Sequence, residues 1–306
     1  MRLTYLTSLF LVAVSSSYVV QAKTPEVHDT ALKGGPMMDC AGLPCVQLTL
    51  TSGKQLKMLI DTGDAQSVLD AEVAKDLGLD VQPVKGGDGK VVPGYGQATV
   101  SGAKIGDGLL GDVKLLVMDL ASLVTKGEVP PSDGSLTYTV FKDRVLEMDY
   151  VQKLVRFSAM LTSEAACPGK CQTLTTPTFG KQGPPVLVAT GFAVNGKAIT
   201  AQIDSLFSGT MLIYPHAVEK LGLTKAAKSA KTKMFPYTDG GVDMVDGGPA
   251  AEAFQGRMLD KDGAVYFATP KVHLPDGKFD GTVGQGLLQH SVLVMDLKGM
   301  RVWMKG

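Results

Sequence analysis

The chain repeats itself, and the repeat limits the folds open to it more than any other feature. Leu59 to Leu79, LIDTGDAQSVLDAEVAKDLGL, matches Gln202 to Leu223, QIDSLFSGTMLIYPHAVEKLGL, with one residue inserted in the second copy. A second match needs no gap. Asp133-Gly134-Ser135-Leu136 leads to VLEMDYVQKLVRF at Val145 to Phe157, and Asp280-Gly281-Thr282-Val283 leads to VLVMDLKGMRVWM at Val292 to Met304. Such self-similarity predicts two copies of one structural unit, and 306 residues suffice for two lobes of ordinary domain size.

Alternating apolar residues such as Val145, Met148, Leu154, Val155 and Phe157, broken by a polar turn, predict paired short strands in each copy. The fold class expected is all-β with short helices. Two helices are predicted, at Ala71 to Leu77 and at Pro215 to Leu221, where Pro215 suits the first turn and Gly222 the exit. Lys85-Gly86-Gly87-Asp88-Gly89 and Thr238-Asp239-Gly240-Gly241 mark hairpin loops. Between the copies, Thr162 to Pro185 carries Pro168, Pro177, Pro184 and Pro185 and reads as a linker. The expected organisation is residues 1–22, 23–45 as an N-terminal segment, 46–161 as lobe 1, 162–185 as linker and 186–306 as lobe 2.

MRLTYLTSLFLVAVSSSYVVQA has a basic start, an apolar stretch and a small-residue exit at Ala22, the pattern of a cleaved signal peptide. Ser15-Ser16-Ser17 interrupts it as a membrane span, so no membrane association is expected after cleavage. In an exported chain the close pairs Cys40/Cys45 and Cys167/Cys171 predict two local disulfides rather than a four-cysteine metal site. Thirty Lys and Arg balance thirty Asp and Glu with no basic run, which argues against a nucleic-acid partner. The four histidines are scattered and lack metal-ligand spacing. Neither Gly108-Leu109-Leu110-Gly111 nor Gly284-Gln285-Gly286 has the context of a dinucleotide loop, and no nucleophile elbow surrounds Ser67, Ser208 or Thr210.

An apolar strand, Asp61-Thr62-Gly63, a second apolar strand and a later Asp-Gly-apolar-apolar-Gly strand, an order the second copy follows around Asp204-Ser205-Leu206, resemble the pattern of the pepsin and retropepsin aspartic peptidases. Val68-Leu69 followed by a helix ending in Leu-Gly-Leu is most similar to the bacterial retropepsin-like proteins. The resemblance implies a two-lobed acid-protease fold from an internal duplication, with Asp61 and Asp204 as a catalytic pair. Two close carboxylates share one proton, so that one accepts a proton from water while the other donates to the substrate carbonyl. Thr62, Gly63 and Ser205 are then the supports of the two turns. Tyr95-Gly96 is the candidate flap, a lid over an extended peptide. No metal or organic cofactor is implied, the partner is a peptide or protein substrate, and the location is periplasmic or secreted.

The sequence departs from the family at two places. Leu206 stands where the second turn should carry glycine, which predicts a deflected backbone or a tilted Asp204 carboxylate, at about 1–3 kcal/mol of strain. Thr137 ends Gly134-Ser135-Leu136-Thr137, whereas lobe 2 retains Gly284 at the matching place. These departures leave a non-catalytic peptide-binding protein on the same scaffold as the alternative to an endopeptidase. A homodimer pairing Asp61 from two chains is disfavoured, because lobe 2 occupies the face a second lobe 1 would need; a monomer is expected.

Overall fold

The structure is a computed structural model that describes residues 31–127, 129–158, 171–179, 181, 183–232, 244–269 and 277–305. The expected signal peptide and the loop at Thr238 to Gly241 lie outside these residues. Of the two disulfides expected, Cys40–Cys45 joins described residues. The second expected pair falls only half within them. Cys171 is disulfide-bonded and no described cysteine is free, whereas Cys167, its expected partner, lies outside the described residues. The half-buried Cys171 packs beside Val145, Val294 and Trp303, directly ahead of the strand that begins at Gln172. It is therefore tied to the sheet that joins the two copies, and does not sit in a free linker.

The alternating runs fold as short strands in both copies. The first copy contributes β1 (Lys33–Pro36), β2 (Met38–Cys40), β3 (Leu43–Thr49), β4 (Gln55–Asp61), β5 (Val68–Asp70), β6 (Gln82–Lys85), β7 (Val91–Ile105), β8 (Gly108–Met118), β9 (Gly134–Thr137), β10 (Val145–Asp149) and β11 (Leu154–Phe157). The second contributes β12 (Gln172–Thr175), β13 (Val188–Val194), β14 (Lys197–Asp204), β15 (Met211–Ile213), β16 (Lys231–Thr232), β17 (Met244–Phe254), β18 (Arg257–Ala268), β19 (Gly281–Gly284), β20 (Val292–Asp296) and β21 (Arg301–Lys305). Among the described residues five brief α-helices accompany them: α1 (Ala71–Asp76), α2 (Leu120–Lys126), α3 (Pro215–Val218), α4 (Thr224–Ser229) and α5 (Gln285–Leu288). The protein is thus mainly β and two-lobed, and β12 runs through the segment read as a linker.

Strand register makes the duplication explicit. β4 pairs in parallel with β9 from Met58↔Gly134 to Asp61↔Thr137, and β14 pairs with β19 from Ala201↔Gly281 to Asp204↔Gly284. Each acidic residue therefore ends its strand beside the end of the strand that follows the Asp-Gly motif. Across from β9, Val68 faces Ser135, while Leu212 faces the matching Thr282. The inserted residue of the second copy thus lies inside its acidic turn.

The repeated Asp-Gly pairs have a structural reason. Asp133 Oδ2 accepts from Lys57 N at 2.6 Å, and Asp280 Oδ2 accepts from Thr200 N at 2.9 Å, so each carboxylate ties the start of its loop to the strand carrying the acidic turn. A Cβ on Gly134 would lie 2.2 Å from Val68 O, and one on Gly281 would lie 2.2 Å from Leu212 O, distances that only glycine avoids.

The second repeat joins the lobes. β10 and β20 pair with each other antiparallel, from Val145↔Asp296 to Asp149↔Val292, so the two Val-Leu-x-Met-Asp copies meet about their own centre. Around them the order β1-β11-β10-β20-β21-β12 forms a shared platform. Glu147 is fully buried at its middle and ion-pairs with Arg156 on β11 and Lys305 on β21. Two cations at this carboxylate offset the cost of burying its charge.

A second buried acid has no cation beside it among the described residues. Glu252 on β17 is fully buried, and its Oε2 lies 2.3 Å from where a Gly263 Cβ would be. Burial pushes its pKa from the ordinary 4.5 up to about 8, and the charge of Asp260 adds to the rise. The folded chain keeps a proton that the unfolded chain releases above about 4.5, so this group's contribution to stability is full below that pH and is lost as pH rises towards about 8. Glu252→Gln is expected to flatten the fall in melting temperature across this interval. Parallel curves for the variant and the wild type would show that Glu252 titrates as an ordinary surface acid.

Candidate active site

The two acidic turns are built alike. In the first, Asp61 Oδ1 accepts from Gly63 N at 2.9 Å and from Asp64 N at 3.2 Å. In the second, Asp204 Oδ1 accepts from Leu206 N at 2.9 Å and from Phe207 N at 3.1 Å. Each carboxylate is thus oriented by its own turn. Leu206 does not take the left-handed backbone conformation, and its N–H donates to Asp204 as that of Gly63 does to Asp61.

Hydroxyls lock the turns together reciprocally. Thr62 N donates to Ser205 Oγ at 3.0 Å, and Ser205 N donates to Thr62 Oγ1 at 3.0 Å. Thr62 Oγ1 donates onward to Ile203 O at 3.0 Å, and Ser205 Oγ donates to Ile60 O at 2.5 Å. Both residues are fully buried. Each hydroxyl therefore satisfies a backbone donor and a backbone acceptor of the opposite lobe, groups that burial would otherwise leave costly.

This lock brings the carboxylates onto one residue. A Cβ on Gly63 would lie 2.5 Å from Asp204 Cγ, with both carboxylate oxygens within 2.8 Å. Gly63 N meanwhile donates to Asp61, so Gly63 is the floor between the two acids. Its role is to leave space: its φ lies outside the positive range that favours glycine. Its carbonyl accepts from Gln202 Nε2 at 2.8 Å, Gln202 Oε1 accepts from Thr282 Oγ1 at 3.2 Å, and Thr282 Oγ1 lies 2.9 Å from the Tyr214 hydroxyl. A polar chain from lobe 2 thereby holds the turn of lobe 1.

The opposite brace is apolar. Leu206 matches Gly63, and Leu59 matches Gln202. Leu206 packs against the cluster of Cys40, Leu43, Cys45 and Leu59, in which Cys40 and Cys45 form a disulfide. The other departure from the family is likewise accommodated. In lobe 2, Gly284 N donates to Thr210 O at 2.9 Å, Gln285 N to Phe207 O at 2.7 Å and Gly286 N to Gly209 O at 3.0 Å. A Gly284 Cβ would lie 2.2 Å from Phe207 O. Lobe 1 has the shorter turn and makes the link with hydroxyls. Thr137 N donates to Ser67 Oγ at 2.9 Å, Thr137 Oγ1 lies 2.8 Å from Thr139 Oγ1, and Thr139 Oγ1 donates to Ala65 O at 3.0 Å. Thr137 is a side-chain substitute for a backbone contact.

Tyr150 and Tyr214, both buried, have phenols pushed up first by burial and further by the charge of Asp204. They remain neutral hydroxyls at any working pH. Tyr95 and Gly96 lie on β7 in the β6–β7 hairpin, whose turn is closed by Gly86 N donating to Lys90 O. Tyr95 is exposed, and Val81 fills the space where a Gly96 Cβ would go. Sequence reasoning missed Gln202 and Tyr214. Gln202 occupies an inward position of an apolar strand, and an amide in such a place signals a partner across an interface.

Residues 46–140 match the model of the aspartyl protease family. Among solved structures the chain is similar to the basic 7S globulin from soybean, at 12% identity and a TM-score of 0.46, over 90% of this chain and 94% of that one. It is also similar to the aspartic proteinase from Irpex lacteus, at 13% identity and a TM-score of 0.48, over 90% of this chain and 97% of that one. No curated protein matches. The match to the aspartyl protease family thus lies within the first lobe, and the second lobe repeats its strand register around a second acidic turn.

Proposed function

We propose that the protein is an exported, single-chain aspartic endopeptidase that uses Asp61 and Asp204 as a proton-sharing dyad. The observation that carries this reading is the reciprocal Thr62/Ser205 lock, which sets both carboxylates against Gly63. Charges this close favour a singly protonated pair. The ionised carboxylate takes a proton from water as the water oxygen attacks the peptide carbonyl carbon, and the protonated carboxyl donates to the carbonyl oxygen. A proton returned to the amide nitrogen then lets the carbon–nitrogen bond break. The substrate is an extended peptide, covered by the Tyr95-Gly96 hairpin acting as a flap. Export rests on the N-terminal sequence pattern and implies a periplasmic or secreted location, and a monomer is proposed because one chain carries both acidic turns. The alternative, a non-catalytic peptide-binding protein, is motivated by Leu206 and Thr137; the bonds from Leu206 N to Asp204 Oδ1 and from Thr137 N to Ser67 Oγ support the peptidase reading over it.

Purified protein from Lys23 onward, incubated with a mixed peptide library from acid to neutral pH, tests this function. Cleavage inhibited by a statine peptide and lost in both Asp61→Asn and Asp204→Asn is expected. Cleavage that survives both changes would assign the activity elsewhere, and a folded protein that cleaves nothing would favour peptide binding without turnover.

A further inference from the structure

The two turns are equivalent in backbone and unlike in support, and the unlike half involves a feature that the lock does not need. Gly63 is held through its carbonyl by Gln202, whereas Leu206 reaches out of lobe 2 into an apolar seat on lobe 1. That seat is the β2–β3 hairpin together with Leu59 of β4. Cys40 faces Leu43 across a turn in which Ala41 and Gly42 both have positive φ, and Gly42 N donates to Asp39 Oδ1 at 2.6 Å. The Cys40–Cys45 disulfide staples this tight hairpin, and Cys45 pairs with Leu59 in the β3–β4 ladder. Leu206 is two residues from Asp204, and its N–H is one of the two donors that orient the Asp204 carboxylate.

We infer that the stapled hairpin is a positioning device for the second aspartate. It seats Leu206, and Leu206 holds its own amide against Asp204, the task that Gln202 performs for Gly63 on the other side. The disulfide thus serves the site as well as the entry to the lobe. This inference rests on the proposed dyad and assigns Leu206, Cys40 and Cys45 a positioning role, since none of them touches reacting atoms.

A double-mutant cycle between Leu206→Gly and the Cys40→Ser/Cys45→Ser pair tests it, read by kcat and KM on a reporter peptide and by the pH profile of kcat/KM. Each arm is expected to lower kcat about tenfold with KM within about twofold, and to shift the apparent dyad pKa values. The combined variant is expected to be no worse than either arm, because a seat without an occupant and an occupant without a seat are the same loss. Multiplying effects, or an unchanged kcat and pH profile in the folded cysteine variant, would overturn the coupling. Carbon-13 carboxyl titration of Asp204 in the same four proteins reads the coupling without turnover. An inactive wild type whose Asp204 titration still shows the non-additive shift would sink the peptidase reading and keep the seat, and an additive shift would remove the seat.

Discussion

Gly63→Ala is expected to give a folded, inactive protein. An alanine meets no left-handed backbone penalty at this position, so the chain should still fold. Its Cβ, however, would fall 2.5 Å from Asp204 Cγ, a separation that non-bonded carbon atoms do not adopt. The Asp204 carboxylate must turn away from the turn amides that orient it, or the whole turn must move and strain the Thr62/Ser205 lock. Either response displaces a carboxylate of the proposed dyad, and misplacements of about 1 Å cost on the order of a hundredfold in rate. The expected result is a loss of at least that size in kcat, accompanied by weakened binding of a statine peptide. Activity within a few-fold of wild type would mean that Asp204 has no part in the chemistry.

Removing either hydroxyl of the lock is the second large effect. Thr62→Val keeps the shape of the side chain but leaves Ser205 N–H and Ile203 C=O without their partner, in a place where neither reaches water. Each orphaned buried group costs about 1–3 kcal/mol, so a loss of about 3 kcal/mol in unfolding free energy is expected. Ser205→Ala removes the mirror pair, the acceptor for Thr62 N and the donor to Ile60 O. Because the lock is reciprocal, the double variant should lose less than the sum of the singles. Denaturant midpoints together with kcat check this: stability and rate should fall together, since the same contacts hold the lobes and would set the proposed dyad. Additive stability losses with an unchanged kcat would mean that the hydroxyls serve packing alone.

The sequence made the duplication, the acidic turns and their hydroxyl supports legible, because each depends on local patterns that recur. The α1 helix was readable for the same reason: Asp70 accepts from Glu72 N and Val73 N and caps it. The other Asp70 oxygen accepts from Leu120 N and Ala121 N at the start of α2, a helix the pattern did not announce. Only Leu120 of α2 is buried, so no apolar stripe marks it, although Asp119 and Gly127 supply ordinary start and stop signals. β1, reading Lys-Gly-Gly-Pro, has the composition of a loop and is a strand only through pairing with β11; a Cβ on Gly34 would lie 1.9 Å from Val155 O. The supports of the site were hidden for a related reason. Leu206 and Thr137 break the family pattern one residue at a time, and what compensates each lies elsewhere in the chain: Leu59 and the Cys40–Cys45 hairpin for Leu206, Ser67 and Thr139 for Thr137. Such compensation is a property of contacts and has no signature in a single sequence.

In the proposed dyad Asp61 and Asp204 titrate as one unit, which carbon-13 carboxyl titration of the wild type reads without turnover. A shared proton predicts two widely separated macroscopic steps, one well below and one above the ordinary aspartate value of about 3.9, both lost as a coupled pattern in Asp61→Asn. Two carboxyls titrating independently near that value, with the Asp204 curve unchanged by Asp61→Asn, would show that the two aspartates share no proton and form no dyad.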